Sequence, residues 1–144
     1  KLLQTLFKER TIYKEYVCIV EGKLRTQSGN IEVPLSRSRH NRVKREVRSE
    51  GKISSSNFEV LLEGDTYSKL KIELLTGRNH QIRSQMEFLG NPIVNDVLYG
   101  AKKVLELNEN QICLHSKKIR FQIKDENYEF EVKEPSFFND FLNV

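Results

Sequence analysis

The sequence predicts an α+β fold: a mostly antiparallel sheet with a few flanking helices. Apolar residues alternate with a period of two in several separate segments, and short polar turns join two pairs of these segments. Helical spacing with clear stop signals is confined to short stretches. The 144 residues are 38% hydrophobic and 31% charged, a composition that suits one globular, soluble domain spanning residues 1–144. No apolar run approaches the roughly 20 residues needed to cross a bilayer, so a cytoplasmic protein is the default expectation. The first residue is Lys1, not methionine, which leads us to expect a piece cut from a longer polypeptide.

Along the chain, residues 2–7 read as the last turns of a helix, with Leu3, Leu6 and Phe7 on one side. Residues 11–21 are rich in β-branched and aromatic side chains and stop at Gly22, as a central strand would. Residues 31–35 form a short strand that Pro34 assigns to a sheet edge. Phe58, Val60 and Leu62, then Leu70, Ile72 and Leu74 after the Gly64-Asp65 turn, make a hairpin with one buried face. A helix over residues 79–89 follows, closed by Gly90 and Pro92. Ile119, Phe121 and Ile123 pair with Tyr128, Phe130 and Val132 in a second hairpin, and residues 135–142 form a short helix that docks Phe137, Phe138, Phe141 and Leu142 on the sheet.

Charge is unevenly distributed. The chain carries 24 basic and 20 acidic residues. Residues 37–52 alone hold seven Lys or Arg against Glu46 and Glu50, a local net of +5, while the remainder has 17 basic against 18 acidic. This segment is either a solvated loop or a compact patch that attracts phosphates. Cys18 and Cys113 sit in apolar strand-like settings and read as buried thiols. With three scattered histidines they do not make a zinc-ligand pattern, so no metal site is expected.

The chemistry concentrates in residues 74–100. There a strand delivers a glycine turn, and the turn launches a helix whose first residues are polar and basic. His80 and Arg83 share one helix face, and Ile82, Met86 and Leu89 the other. Such a helix start accommodates an anion. The competing reading pairs Arg83 with Glu87 at i, i+4 and leaves His80 as a structural cap.

The string T-G-R-N-H-Q-I-R, followed by P-I-V-N-D-V-L-Y-G, resembles the paired motifs of the RluA-type family of RNA pseudouridine synthases. Lys14-Glu15-Tyr16 on its apolar strand, Leu114-His115-Ser116 and Pro135-Ser136-Phe137 resemble further segments of that family, in the same order. The resemblance implies a pseudouridine synthase-like catalytic domain, truncated at its N-terminus, that detaches a uracil from its ribose and rejoins it through C5 without a cofactor. It implies that Tyr16 lies against the uracil and removes the C5 proton, and that Arg83 pairs with the catalytic aspartate. Arg37, Arg39, Arg42, Lys44, Arg45 and Arg48 of the basic 37–52 loop, with Arg78 and His80, would contact RNA, ribosomal or transfer. Gly77, Ile93, Asp96, Tyr99 and Gly100 would shape the pocket, Asp96 by bonding its own backbone in the Asp-x-x-Tyr-Gly turn. His115 reads as structural.

The family's H-R-L-D motif, which carries the nucleophilic aspartate, does not occur in these 144 residues. Its expected place is before Lys1, so the chain alone is expected to be inactive. Asn79, Gln85, Asn95 and Lys124-Asp125 also depart from the usual pattern. Removing the aspartate's strand would leave Arg83 without its partner and a sheet edge bare, which predicts a dimer through that edge, or an anion or Glu87 against Arg83. The alternative function is a non-catalytic RNA-binding module. A hydrolase based on His80 or His115 lacks a recognisable nucleophile.

Overall fold

The computed structural model describes residues 12–142, so the expected helix at residues 2–7 lies outside the described residues. Seven strands form one antiparallel sheet in the order β3-β2-β4-β5-β1-β6-β7. They are β1 (Tyr13–Glu21), β2 (Ser28–Arg37), β3 (Arg45–Val47), β4 (Lys52–Glu63), β5 (Tyr67–Leu74), β6 (Leu114–Ile123) and β7 (Glu126–Glu131). The helix α1 (Gln81–Leu89) lies on one face, and single 3₁₀ segments occupy Val97–Tyr99 and Ser136–Phe141. Among the described residues no helix is long and apolar enough to cross a membrane.

The β-branched run in β1 places it between β5 and β6, as its composition predicts, and Cys18, Ile19 and Val20 are fully buried. Cross-strand partners share a face, so Cys18 lies with Leu70 and Tyr16 with Ile72 beneath α1. Ile82 and Met86 of α1 complete that core. The opposite face is closed where Phe138 packs on the core and the Tyr67 and Phe141 rings meet edge to face at 5.3 Å. The C-terminal segment therefore docks as expected, in a 3₁₀ conformation.

Three elements differ from the sequence expectation. β2 runs ten residues, longer than expected, and β3 covers only Leu35, Ser36 and Arg37 on its outer side, so Pro34 sits where that cover ends. Its carbonyl accepts from the Arg48 N–H (3.1 Å) on that outer side, so the N–H that proline lacks also falls there, outside the β2–β3 ladder. In β4 a bulge between Val60 and Leu62 shifts the register, so that Leu62 faces Lys69 and lies 44% exposed instead of joining Phe58 and Val60. Helix α1 starts two residues later than expected, since His80 takes a left-handed conformation (φ 54°) that ends the turn before the helix begins.

Candidate active site

The strand–turn–helix unit that carries the site is held by one buried amide. Gln81 accepts from the Thr76 hydroxyl (2.7 Å) and the Arg78 N–H (2.9 Å) through Oε1. Through Nε2 it donates to the Ser55 carbonyl (3.0 Å) and the Ser56 hydroxyl (2.8 Å). All four of its hydrogen-bonding positions are used, which fixes the end of β5, the start of α1 and β4 against one another. Sequence reasoning gave Gln81 no role. Its signal was a polar residue beside Ile82 on the apolar side of an amphipathic helix.

From this platform Arg83 projects onto Asp96. Its Nε donates to Oδ2 at 2.9 Å and its Nη2 to Oδ1 at 2.8 Å, a two-pronged contact. The Asp96 side chain is 1% exposed and that of Arg83 21%. This corrects two expectations. Arg83 has an internal partner within the chain, and the Asp96 carboxylate holds Arg83 instead of its own turn. It is the Asp96 carbonyl that accepts the Tyr99 (3.0 Å) and Ala101 (3.1 Å) N–H groups. The turn also needs Asn95 and Gly100 in left-handed conformations (φ 68° and 94°). Glycine and asparagine tolerate this region best, which accounts for the asparagine at position 95. The Asn95 amide additionally ties residues 104, 108 and 111 to the turn.

Tyr99 is fully buried beside this pair, with the Arg83 guanidinium 4.9 Å from its ring centre. Its hydroxyl lies 2.8 Å from His80 Nδ1, and Arg83 Nη1 lies 3.3 Å from His80 Nε2. Arginine only donates, so Nε2 is the acceptor and Nδ1 carries the proton it donates to Tyr99. Burial, then the Arg83 and Arg45 charges, push the His80 pKa below its ordinary value against the pull of Asp96. The neutral ring that the hydrogen bonds require is therefore the favoured form. The Tyr99 hydroxyl also accepts the Arg45 N–H (2.8 Å), and Ser84 donates to the Arg45 carbonyl (3.1 Å). The backbone of the basic hairpin is thus fastened to the Arg83 cluster from both sides of one residue.

Asp96 and His80 use three of the five guanidinium N–H groups of Arg83 and leave two. An open cavity of about 310 Å³ borders Arg83 and Asp96 and is lined also by Lys103, Asn110 and Ile112. A fixed guanidinium with spare donors beside such a cavity suits a second carboxylate or a phosphate. Glu87 is not that partner: it binds Lys44 (2.8 Å).

The other predicted residues are dispersed. Tyr16 lies on β1, packed against the core beneath α1. Ile93 is fully buried and bridges to Val20, whereas Gly77 and Arg78 lie on the surface at the turn. The 37–52 segment is ordered, since it contains β3, and Arg39 and Arg48 are paired with Glu50 while Arg48 also binds Glu46. Arg42 is exposed. His115 donates from Nε2 to the Val132 carbonyl (2.8 Å) and packs edge-on against Phe138, a structural placement. Among the described residues no group of three His, Cys, Asp or Glu side chains gathers as a metal site.

The sequence pattern of the RNA pseudouridylate synthase family matches residues 1–88. The chain belongs to the RNA pseudouridylate synthase family. It is 35% identical over 121 residues to an uncharacterized RNA pseudouridine synthase, YhcT, of Bacillus subtilis, covering 83% of this chain and 39% of that protein. It is 32% identical over 145 residues to the ribosomal large subunit pseudouridine synthase D of Borreliella burgdorferi, covering 99% of this chain and 44% of that one. Among solved structures, human RNA pseudouridylate synthase domain containing 1 superposes with a TM-score of 0.75 at 29% identity, over 91% of this chain and 58% of that chain. The chain therefore spans less than half the length of these two curated family members. The mostly antiparallel sheet belongs to the same family fold, and the Arg83 cluster is built from the two motifs that first pointed to it.

Proposed function

We propose that the chain forms the arginine-bearing part of an RNA pseudouridine synthase, an isomerase that converts uridine in RNA to pseudouridine. The observation that carries this reading is the Arg83 guanidinium, held rigid by Asp96, His80 and Tyr99 with two donors unspent. Those donors receive the carboxylate of the catalytic aspartate and aim it at the sugar–base bond. Asp96 is then the brace that orients Arg83, and the nucleophile comes from an H-R-L-D segment, a sequence these 144 residues do not contain. Tyr16 supplies the base for the C5 proton. Among the described residues its hydroxyl has no hydrogen-bond partner, which leaves it available to substrate. A uridine within a stacked strand is out of reach of all these groups, so the base is flipped into the site.

The test is release of tritium from C5-tritiated uridine in ribosomal and transfer RNA transcripts. The 144-residue chain is expected to release none, and a form extended upstream to include H-R-L-D is expected to turn over. Turnover by the 144 residues alone would overturn the assignment of the nucleophile. The missing H-R-L-D string also favours a second reading, a non-catalytic RNA-binding module. An extended form that binds RNA but releases no tritium would support that reading instead.

A further inference from the structure

Between the 3₁₀ turn at Val97–Tyr99 and β6 the chain runs through residues 101–112 without a strand or helix of its own, yet it is bonded along its length. A structureless stretch of this size is uncommon as a mere connector. One buried side chain holds it. Asn95, 2% exposed and left-handed (φ 68°), donates from Nδ2 to the Asn108 and Gln111 carbonyls (3.0 and 2.8 Å) and accepts the Val104 N–H at Oδ1 (2.8 Å). Glu21 of β1 accepts the Lys102 N–H (2.8 Å), and the Gln111 side chain accepts the Asn108 N–H (2.8 Å). A glycine at position 95 would tolerate the same φ and supply none of the three side-chain bonds. Asn95 is also one of the residues at which this chain departs from the family's motif, so the brace is a feature of this chain.

The braced loop carries Lys103 to the mouth of the cavity that borders Arg83 and Asp96. Lys103 is exposed and, among the described residues, has no carboxylate partner. The other positive charge there is already committed: Arg83 is matched by Asp96, and the nucleophilic carboxylate proposed above claims its two spare donors. A substrate phosphate at the same mouth brings a further negative charge, and Lys103 is the one cation bordering the cavity, among the described residues, left to receive it. Its ammonium is a compact charge on a flexible stem, able to follow an anion. Glu109, the other acid on this cavity, pairs with no cation among the described residues, and its charge turns a polyanion toward the Lys103 side. Val97, 55% exposed, and Ile112 give the cavity an apolar wall. At about 310 Å³ the space is at the small end of ligand sites and suits one nucleotide. Lys103 also borders a second open cavity of about 580 Å³, so it stands on the ridge that a strand leaving the first would cross.

We propose that Lys103 receives a phosphodiester flanking the target uridine, and that Asn95 is the positioning residue that holds the 101–112 loop in place for this contact. The identity of the strand rests on the isomerase reading above. A phosphate fixed at Lys103 and a carboxylate fixed at Arg83 constrain the nucleotide from two sides, which orients its sugar–base bond before reaction.

Two-dimensional NMR titration of the 144-residue chain tests this, with the trinucleotide ApUpA and with its analogue in which both linkages are neutral methylphosphonates. ApUpA is expected to shift the amide signals of residues 102–104; no shift there would overturn the proposal. Lys103→Gln is expected to weaken ApUpA binding about 3- to 10-fold, the worth of one charge-assisted contact, and to leave the neutral analogue within about twofold. Lys103→Arg should restore ApUpA to within about twofold, and Lys102→Gln should cost less than about twofold. An unchanged affinity in Lys103→Gln, an equal loss for the neutral analogue, or equal losses at positions 102 and 103 would each overturn the contact. Asn95→Gly, checked for folding by unchanged signals outside the loop, should reproduce the loss, and adding Lys103→Gln to it should cost little more. Additive losses would remove Asn95 as the positioning residue. Inorganic phosphate binding as tightly as ApUpA, with the same dependence on Lys103, would overturn the nucleotide assignment. The titration reads binding without turnover, so the Lys103 contact can fail while the isomerase reading stands, and the reverse is separately visible in tritium release.

Discussion

Replacing Asp96 with asparagine keeps its shape and turns an acceptor toward Arg83 into a donor facing a donor. The pair is buried on the Asp96 side and partly open on the Arg83 side. We therefore expect the loss of stability to fall at the lower end of that for a broken buried ion pair, about 3 kcal/mol in chemical denaturation. His80 adds a pH dependence. Its folded-state pKa lies below the ordinary 6.5, so the unfolded chain takes up the proton first and stability falls as pH drops below about 6.5. The thermal midpoint should decline between pH 7.5 and 5.5, and the decline should flatten in His80→Gln. An equal decline in that variant would show that other groups carry it. These roles were only partly legible in the sequence. The two motifs located His80, Arg83, Asp96 and Tyr99, but the closure of Asp96 on Arg83 depends on a turn with two left-handed residues, and sequence spacing does not report that geometry.

At the scale of elements, the C-terminal segment is fastened to the sheet by charge as well as by its aromatic rings. Glu134 accepts from Lys117 of β6 (2.6 Å) and pairs with Lys69 of β5 (2.8 Å). These hydrogen bonds, Lys117 first, draw its pKa down from 4.5 to about 2. The depressed value means that this stabilisation is complete above about pH 4.5 and is lost as pH falls toward 2. Glu134→Gln should show a smaller difference between its unfolding midpoints at pH 6 and pH 3 than the unaltered chain; an unchanged difference would remove Glu134 from the account. The β6–β7 hairpin shows how a local departure is absorbed. Lys124 and Asp125 both adopt positive φ (50° and 69°) in the two-residue loop between Ile123 and Glu126. This is the turn geometry that matches the twist of the strands. The sequence located both hairpins because period-two alternation is a local signal. It missed the β4 bulge and the pairing of β2 with β3, which are set by contacts between distant segments.

For the whole molecule, composition and periodicity were enough to predict an antiparallel α+β sheet, because most of its strands bury one face and declare it by alternation. The strand order was not legible. β1 lies between strands more than 40 residues away in sequence, and only the packed sheet brings Cys18 beside both Leu70 and Leu114. The same folding brings the basic hairpin onto α1 and Tyr99, so that the hairpin and the Arg83 cluster are joined in one packed unit. The central claim is that Arg83, oriented by Asp96, positions the catalytic carboxylate. It is tested most directly by C5-tritium release from RNA in the upstream-extended form carrying Arg83→Lys. A lysine keeps the charge and loses the two-pronged, planar contact. The account predicts a fall in the rate of release of about 100-fold or more with RNA affinity retained, and an unchanged rate would contradict it.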